Sequence, residues 1–353
     1  MTFNIGMVGA SGAGKTSLMT AMFLDMKARL LANKDTMNFV HIRYEDKETK
    51  LAIRDSKERF DSCIRMAKFL AWERSSQCGT FGFNVEFGIG DKSKTFKFKI
   101  MDYPGGMLSD KEEFGRVCLP HIENSCALFV PIDAVALMKY DEETRAGSAD
   151  AAAMLKRFEL EHVFEIVRVW SESKKRGAFG VVFLVPVKTE SYFTDNGCSS
   201  CDRSDQLRSA VQRVYVDEIN ARCGTHGIRI VYNPVDTYGC VSLNSANWNR
   251  AANVIEEEFL VVKDRGLSIR GAVDLFTEIV KETLSDQRRD TMEKSEKGRS
   301  EINDRGVIKK VYYHFFPDFV KQRVEENEKA TAFYDAALNA MVSFSSTDRI
   351  QTV

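Results

Sequence analysis

The sequence predicts an α/β protein with a doubly wound, mostly parallel sheet. An apolar run at residues 3–8 leads into a glycine-rich loop and then into helical spacing from Thr16 to about Leu31, which indicates a strand–loop–helix unit. Three further apolar runs of buried-strand type follow, at residues 127–133, 180–187 and 228–232. Helix-forming stretches lie between them, at residues 149–173 and 206–222. Strands that alternate with helices are typical of a parallel sheet.

The glycine-rich loop is a complete G-x-x-x-x-G-K-T phosphate-binding motif at residues 9–16. Glycines let successive backbone N–H groups turn toward a phosphate, and the helix N-terminus adds its positive end. Lys15 is expected to contact the outer phosphates, and the Thr16 hydroxyl to bind Mg²⁺. The residues expected to bind the nucleotide here are Gly9, Ser11, Gly12, Ala13, Gly14, Lys15, Thr16 and Ser17. The alternative is a glycine-rich strand–helix turn with a chance Lys-Thr pair.

A second motif follows a predicted antiparallel hairpin. Two alternating runs, at residues 81–89 and 96–100, flank a polar turn at 90–93, which predicts a hairpin at the edge of the sheet. The second run leads into Asp102-Tyr103-Pro104-Gly105. An Asp at the end of an apolar strand is suited to bind Mg²⁺, directly or through water. Tyr103 stands where many ATPases have a glutamate, and the Gly105 N–H is expected to contact a γ-phosphate.

These motifs resemble the Ras-like, translation-factor-related (TRAFAC-type) branch of P-loop GTPases, over roughly residues 1–280. The resemblance implies a Ras-like fold, GTP or GDP and Mg²⁺ as ligands, and a GTPase that acts as a nucleotide-dependent molecular switch. It implies that Thr80, just before the hairpin, closes over Mg²⁺ and the γ-phosphate. Thr16, Thr80 and Asp102 are then the metal-binding residues, and Lys15, Thr80 and Gly105 the catalytic ones. The alternative for Thr80 is an ordinary residue at a strand entry.

The base-reading motif departs from the family pattern. In the family an N/T-K-x-D motif recognises guanine, whereas this sequence has Val187-Lys188-Thr189-Glu190. The resemblance implies that Lys188 packs on the base, but Glu190 is one methylene longer than Asp, and Val187 lacks the amide of asparagine. The alternative is a solvent-facing Lys and Glu at a strand end. GTP is therefore favoured over ATP by the resemblance and not by these residues alone.

The residue after D-x-x-G is also unusual. Ras-type enzymes have a water-orienting glutamine there, whereas this chain has Gly106. Hydrolysis is therefore expected to be slow unless another residue or a partner supplies the missing group. Two alternatives stay open. One is a nucleotide-responsive scaffold that hydrolyses little, and the other is an ATPase or nucleotide kinase, although no arginine-rich lid is evident.

The chain divides into a predicted GTPase domain at residues 1–284 and a helical extension at residues 285–353. A charged helical insert at about 44–76 precedes the hairpin, in a layout similar to the bacterial double-GTPase type, or else it is a packing cover over a sheet edge. A helix is expected from Ser268 to Leu284, followed by a solvated helix or linker at 285–305. An aromatic stripe at 307–320 is either core or a surface for a protein partner or self-association.

Composition excludes some function classes. The 50 Lys and Arg against 51 Asp and Glu predict no affinity for nucleic acid, and no apolar run is long enough to span a membrane. Without a signal pattern, a cytoplasmic location with free thiols is expected. Cys198 and Cys201 with Cys223 and His226 have paired spacing that suits a structural Zn²⁺ site, or they are four unrelated side chains near loops.

Overall fold

The computed structural model describes residues 2–32, 40–66, 79–89, 92–102, 111–174, 180–223, 228–262, 265–303, 317–344 and 349–353. Its strands are β1 (Thr2–Met7), β2 (Val40–Tyr44), β3 (Gly79–Ile89), β4 (Lys92–Asp102), β5 (Ala127–Asp133), β6 (Val181–Val187), β7 (Arg229–Tyr232), β8 (Val241–Asn249), β9 (Val254–Val261) and β10 (Gln351–Thr352). Within these residues, an eight-stranded sheet has the order β10-β7-β6-β5-β1-β4-β3-β2, and β8 and β9 form a separate hairpin. The strands from β7 to β4 are parallel to one another, whereas β2, β3 and β10 pair antiparallel with their neighbours. The predicted α/β class with a mostly parallel sheet is confirmed.

The helices connect these strands and cover both faces of the main sheet. They are α1 (Lys15–Ala32), α2 (Lys47–Met66), α3 (Lys111–Val117), α4 (Leu119–Glu123), α5 (Ala134–Arg145), α6 (Ala151–Lys156), α7 (Leu160–Ser173), α8 (Ser204–Val211), α9 (Asp217–Cys223), α10 (Ala272–Asn303) and α11 (Pro317–Phe344). A single π-helical turn at Gln212–Val216 joins α8 to α9. The predicted helical stretch at 149–173 is two helices, because residues 157–159 break it.

Two apolar cores lie on opposite faces of the sheet, and β5 contributes to both. Ala127 and Phe129 face the core that contains α1 and α10, whereas Leu128, Val130 and Ile132 face the core that contains α5 and α7. Side chains alternate between the faces of a strand, so a strand covered on both sides is apolar throughout. This arrangement is compatible with a doubly wound fold.

The predicted hairpin is confirmed, but its position at the sheet edge is wrong. Strands β3 and β4 pair in continuous register from Gly79 opposite Asp102 to Ile89 opposite Lys92. Strand β2 then pairs antiparallel with β3 and is the outermost strand on that side. A short strand followed directly by a charged helix carries too little periodicity to be recognised in the sequence.

The helical insert is present as α2, which is described from Lys47 to Met66. Residue 44 belongs to β2, and residues 67–76 of the predicted insert lie outside the described part of the chain. The buried face of α2 includes Ile53 and Phe60, and the Phe60 ring lies 4.7 Å from that of Tyr238. The insert therefore packs against the segment between β7 and β8.

The C-terminal helices are longer than the sequence pattern predicted. Helix α10 begins at Ala272, not at Ser268, and continues to Asn303, so the linker alternative for residues 285–303 is wrong. Its N-terminus is held by α1, because the Val273 N–H donates to Asp25 Oδ2 at 2.9 Å. Residues 307–316 of the predicted aromatic stripe lie outside the described residues. Helix α11 is described from Pro317 to Phe344, and Ala337 is buried in the same core as Leu284.

The β8–β9 hairpin was not predicted. Its side chains Leu243, Trp248 and Phe259 pack partly buried against the core that contains α5 and α7. Mixed polar and apolar positions gave this segment no clear period-2 pattern. Among the helices in the described part of the chain, none combines the length and apolar character needed to cross a bilayer.

Candidate nucleotide site

The glycine-rich loop lies between the end of β1 and the start of α1, at the carboxyl edge of the parallel strands. Gly12 and Gly14 have φ angles of +80° and +86°, a backbone region that side chains other than glycine rarely adopt. A Cβ on Gly14 would also come within 3.0 Å of Val187 Cγ2, so the end of β6 lies directly against the loop. The loop conformation therefore requires glycine at both positions. Open α/β sheets bind ligands at this edge.

Lys15 opens α1 and is folded back over the loop. Its Nζ donates to the carbonyl oxygens of Gly9 at 2.8 Å and Ala10 at 3.0 Å, and the residue is only 7% exposed. Burial lowers the pKa of Lys15, and the nearby charges of Asp102 and Glu159 oppose that shift. A cation held inside an anion-binding loop is suited to an anionic ligand.

Two of the predicted metal-binding residues are in direct contact. Thr16 Oγ1 donates to Asp102 Oδ2 at 2.7 Å, although the residues are 86 positions apart in the sequence. Burial raises the pKa of Asp102, and the hydrogen bond from Thr16 and the charge of Lys15 oppose this. A hydroxyl and a carboxylate are hard oxygen donors of the kind Mg²⁺ prefers, and Mg²⁺ in nucleotide sites uses one or two carboxylates together with substrate phosphates. These residues therefore fit the metal.

Thr80 is not brought to this point. Thr80 lies on β3 opposite Met101 and is exposed, whereas its neighbour Gly79 lies opposite Asp102. Because paired residues share a face, Thr80 and Asp102 lie on opposite faces of the hairpin. Gly105 and Gly106 lie outside the described residues. The metal role of Thr80 and the phosphate role of Gly105 stay predictions.

Lys188 is engaged in a buried charge cluster. It has a φ of +60°, and its Nζ contacts Asp133 Oδ2 at 2.8 Å and Glu257 Oε2 at 2.6 Å. Burial alone would raise the pKa of Asp133, but the Lys188 ammonium lowers it below its ordinary value. Burial raises the pKa of Glu257 to about 7. Lys188 therefore joins β5, β6 and the β8–β9 hairpin.

Glu190 is fully buried, so the solvent-facing alternative is wrong for this residue. Its Oε1 accepts the N–H groups of Tyr238 at 2.6 Å and Gly239 at 3.1 Å, whereas Oε2 is buried with no hydrogen-bond partner. Burial, with Asp236 nearby, raises the pKa of Glu190 to about 7. Base recognition by Lys188 and Glu190 stays a prediction, and in this structure both side chains hold neighbouring segments together.

A pocket beside the loop contains residues that the sequence analysis did not select. The loop residues 9–13 and the end of β5 form one wall, and Arg157, Phe158 and Tyr215 line the other. The Arg157 guanidinium lies 4.0 Å from the position that a Cβ on Gly12 would occupy. No local motif marks Arg157, because it follows a short helix that begins 135 residues after the loop ends at Thr16.

Among the described residues, the predicted zinc ligands Cys198, Cys201 and Cys223 do not form a metal-binding group. Cys198 is buried near Gly239, Cys201 is exposed, Cys223 ends α9 near Ser171, and His226 lies outside the described residues. In the described ranges, no group of three or more His, Cys, Asp or Glu side chains is arranged to hold a metal.

No protein-family model matches this chain, and no curated protein matches it either.

Proposed function

We propose that this protein is a P-loop GTPase of Ras-like type that binds GTP or GDP with Mg²⁺ and acts as a nucleotide-dependent switch. The Thr16–Asp102 contact carries the proposal, because a P-loop hydroxyl and a carboxylate at a strand end are the pair that holds Mg²⁺ against phosphates. Lys15 would contact the outer phosphates, and the N–H groups of residues 12–16 would surround them. When bound, Mg²⁺ would neutralise developing phosphate charge.

The proposed location is the cytoplasm. All cysteines in the described ranges are free thiols, as expected in a reducing compartment. The helices α10 and α11 are the candidates for a protein partner or for self-association, and neither nucleic acid nor a membrane is expected as a partner.

An ATPase is the second candidate. The internal contacts of Lys188 and Glu190 favour it, since a side chain that is already paired contributes less to the recognition of guanine. GTP is still expected to bind more tightly than ATP. The preference for GTP should be smaller than in enzymes whose motif has an Asp where this chain has Glu190.

The test compares GTP and ATP side by side, using slowly hydrolysed analogues for calorimetry and the natural nucleotides for turnover. Each is measured with Mg²⁺ and with a chelator in excess. We expect Mg²⁺-dependent binding with GTP the tighter ligand. Tighter ATP binding would replace the GTPase proposal by the ATPase one, and no binding of either nucleotide would remove both.

A further inference from the structure

We propose that Arg157 is a catalytic residue that acts within its own chain, by contacting the transferred phosphoryl group. The inference rests on the proposed nucleotide hydrolysis. The role is charge stabilisation, which is separate from the water positioning that Gly106 has no side chain to supply.

The first observation is the position of the guanidinium. Arg157 Nη2 lies 4.0 Å from the place of a Cβ on Gly12, and Gly12 is exposed in the phosphate-binding loop. Both residues line the same pocket. A phosphate held by the loop N–H groups would therefore lie next to this guanidinium. The side chain is partly exposed, which leaves it room to turn toward a ligand.

The second observation is how Arg157 is held. Phe158 is buried, and its ring packs edge-on against that of Tyr140 with the ring centroids 5.9 Å apart. This contact fixes the connection between α6 and α7. Arg157 Nη1 donates to the backbone oxygen of Asn253 at 3.2 Å, at the tip of the β8–β9 hairpin. That tip is tied to the start of α6 by Arg250, which contacts Asp150 at 2.7 Å. One guanidinium nitrogen is thus anchored, and the other faces the loop.

The third observation is the backbone conformation of Glu159, the last residue before α7. Glu159 has a left-handed backbone, with φ 49° and ψ 37°. Non-glycine residues rarely adopt this conformation unless the surroundings impose it, and such residues cluster at functional sites. This constrained residue directly follows Arg157 and Phe158, which line the same pocket as the loop.

The chemistry suits an arginine. The oxygen of a water molecule attacks the γ-phosphorus, and the bond from this phosphorus to the β,γ-bridging oxygen breaks with its electron pair leaving on GDP. The proton of the water ends on the released phosphate. Arg157 exchanges no proton in this step, because its guanidinium stays charged and neutralises charge on the transferred group and the leaving oxygen. Its planar fork can contact two oxygens at once.

The experiment compares Arg157→Ala and Arg157→Lys with the wild-type chain, and uses Arg168→Ala as the matched control. Arg168 lies on α7 and pairs with Glu165 and Glu172 on the surface. Single-turnover GTP hydrolysis should fall by about 10³-fold in Arg157→Ala. GTP affinity should stay within about threefold, because a contact made in the transition state adds little to ground-state binding. Arg157→Lys should be intermediate, and Arg168→Ala should match wild type.

A second readout does not depend on turnover. Aluminium fluoride added to the GDP-bound protein mimics the transferred phosphoryl group, and it should raise the melting temperature of the wild-type and Arg168→Ala chains beyond GDP alone. Arg157→Ala should lose this increment. Turnover by wild type should be slow and independent of protein concentration, since the arginine is in the same chain.

The outcomes separate this inference from the proposed function. Equal hydrolysis and an equal aluminium fluoride increment in Arg157→Ala would overturn the role of Arg157 and leave the GTPase proposal intact. GTP binding without turnover in wild type would also overturn it, while leaving nucleotide binding. Failure of wild type to bind nucleotide would overturn both.

Discussion

At the scale of single residues, the proposal assigns Lys15 the most direct contribution to nucleotide affinity. Its ammonium is held by the loop carbonyls of Gly9 and Ala10 and would contact the outer phosphates. Lys15→Ala is therefore expected to weaken Mg²⁺–GTP binding by more than tenfold, or about 1.4 kcal/mol. Calorimetry with a slowly hydrolysed analogue measures this. Lys57→Ala, on the exposed face of α2, is the control. Unchanged affinity in Lys15→Ala would remove this loop from the site.

Glu190 gives a prediction about pH. The pKa of its carboxyl is 4.5 in an unfolded chain, and burial in the folded chain raises this pKa to about 7. Between these values the folded state binds more protons, so the free energy of unfolding falls as pH rises through this range. Glu190→Gln keeps an oxygen to accept from Tyr238 and Gly239 and removes the buried charge. It should stabilise the protein by about 1–3 kcal/mol at pH 8 and by little at pH 4.5.

Urea unfolding of both chains at several pH values measures this difference. Parallel stability profiles would contradict the assignment of a raised pKa to Glu190. The same variant bears on base recognition, because loss of GTP preference in Glu190→Gln would show that the carboxylate also contacts guanine.

At the scale of elements, the helical insert α2 stabilises the segment that carries Tyr238. Phe60 is fully buried against Tyr238, Cys240 and Val241. The Tyr238 N–H in turn donates a hydrogen bond to the Glu190 carboxylate. Phe60→Ala should lower the free energy of unfolding by about 3–5 kcal/mol, because it leaves a cavity. Glu58→Ala on the exposed side of the same helix should change it by about 0.5 kcal/mol or less. Equal effects of the two changes on urea unfolding would place Phe60 outside the core.

The strands and the loop were predictable because their signals are local. Each of β1, β5, β6 and β7 is a short apolar run, and the loop motif fixes the start of α1. Contacts between distant segments were not predictable in this way. Glu190 is buried because Tyr238 and Gly239 fold over it, and Arg157 lies beside the loop because it is hydrogen-bonded to the β8–β9 hairpin. The residues next to Glu190 and Arg157 in the sequence do not indicate either contact.

The same distinction holds within the candidate site. The pairing of Thr16 with Asp102 followed from two motifs whose strands run in parallel to the same edge. The role given to Thr80 assumed that the strand entry faces the metal, whereas the register of β3 and β4 places it on the other face. A one-residue difference in register decides which face a side chain occupies, and no sequence pattern fixes register to that precision.

At the scale of the whole molecule, the segment at residues 349–353 packs against the main sheet and the segment that follows β7. Strand β10 pairs with β7, and Arg349 Nη1 contacts Asp236 Oδ1 at 3.0 Å, with both side chains buried. Asp236 also accepts from Thr189 Oγ1 at 2.7 Å, next to Glu190. The guanidinium thus balances a buried carboxylate that lies beside Thr189.

Arg349→Ala should therefore destabilise the whole protein and not only its terminus. Removing one partner of a buried ion pair leaves an uncompensated charge and costs about 3–5 kcal/mol. Gln351→Ala, on the exposed strand β10, is the matched control and should change the free energy of unfolding by about 0.5 kcal/mol or less. Urea unfolding followed by circular dichroism measures the global effect. Burial and the nearby charge of Asp236 raise the pKa of Glu190 to about 7, so a second negative charge is present beside Asp236 at pH 8. The loss of Arg349 should therefore be more damaging at pH 8 than at pH 5. A loss confined to the last residues, with an unchanged global transition, would contradict this role for the pair.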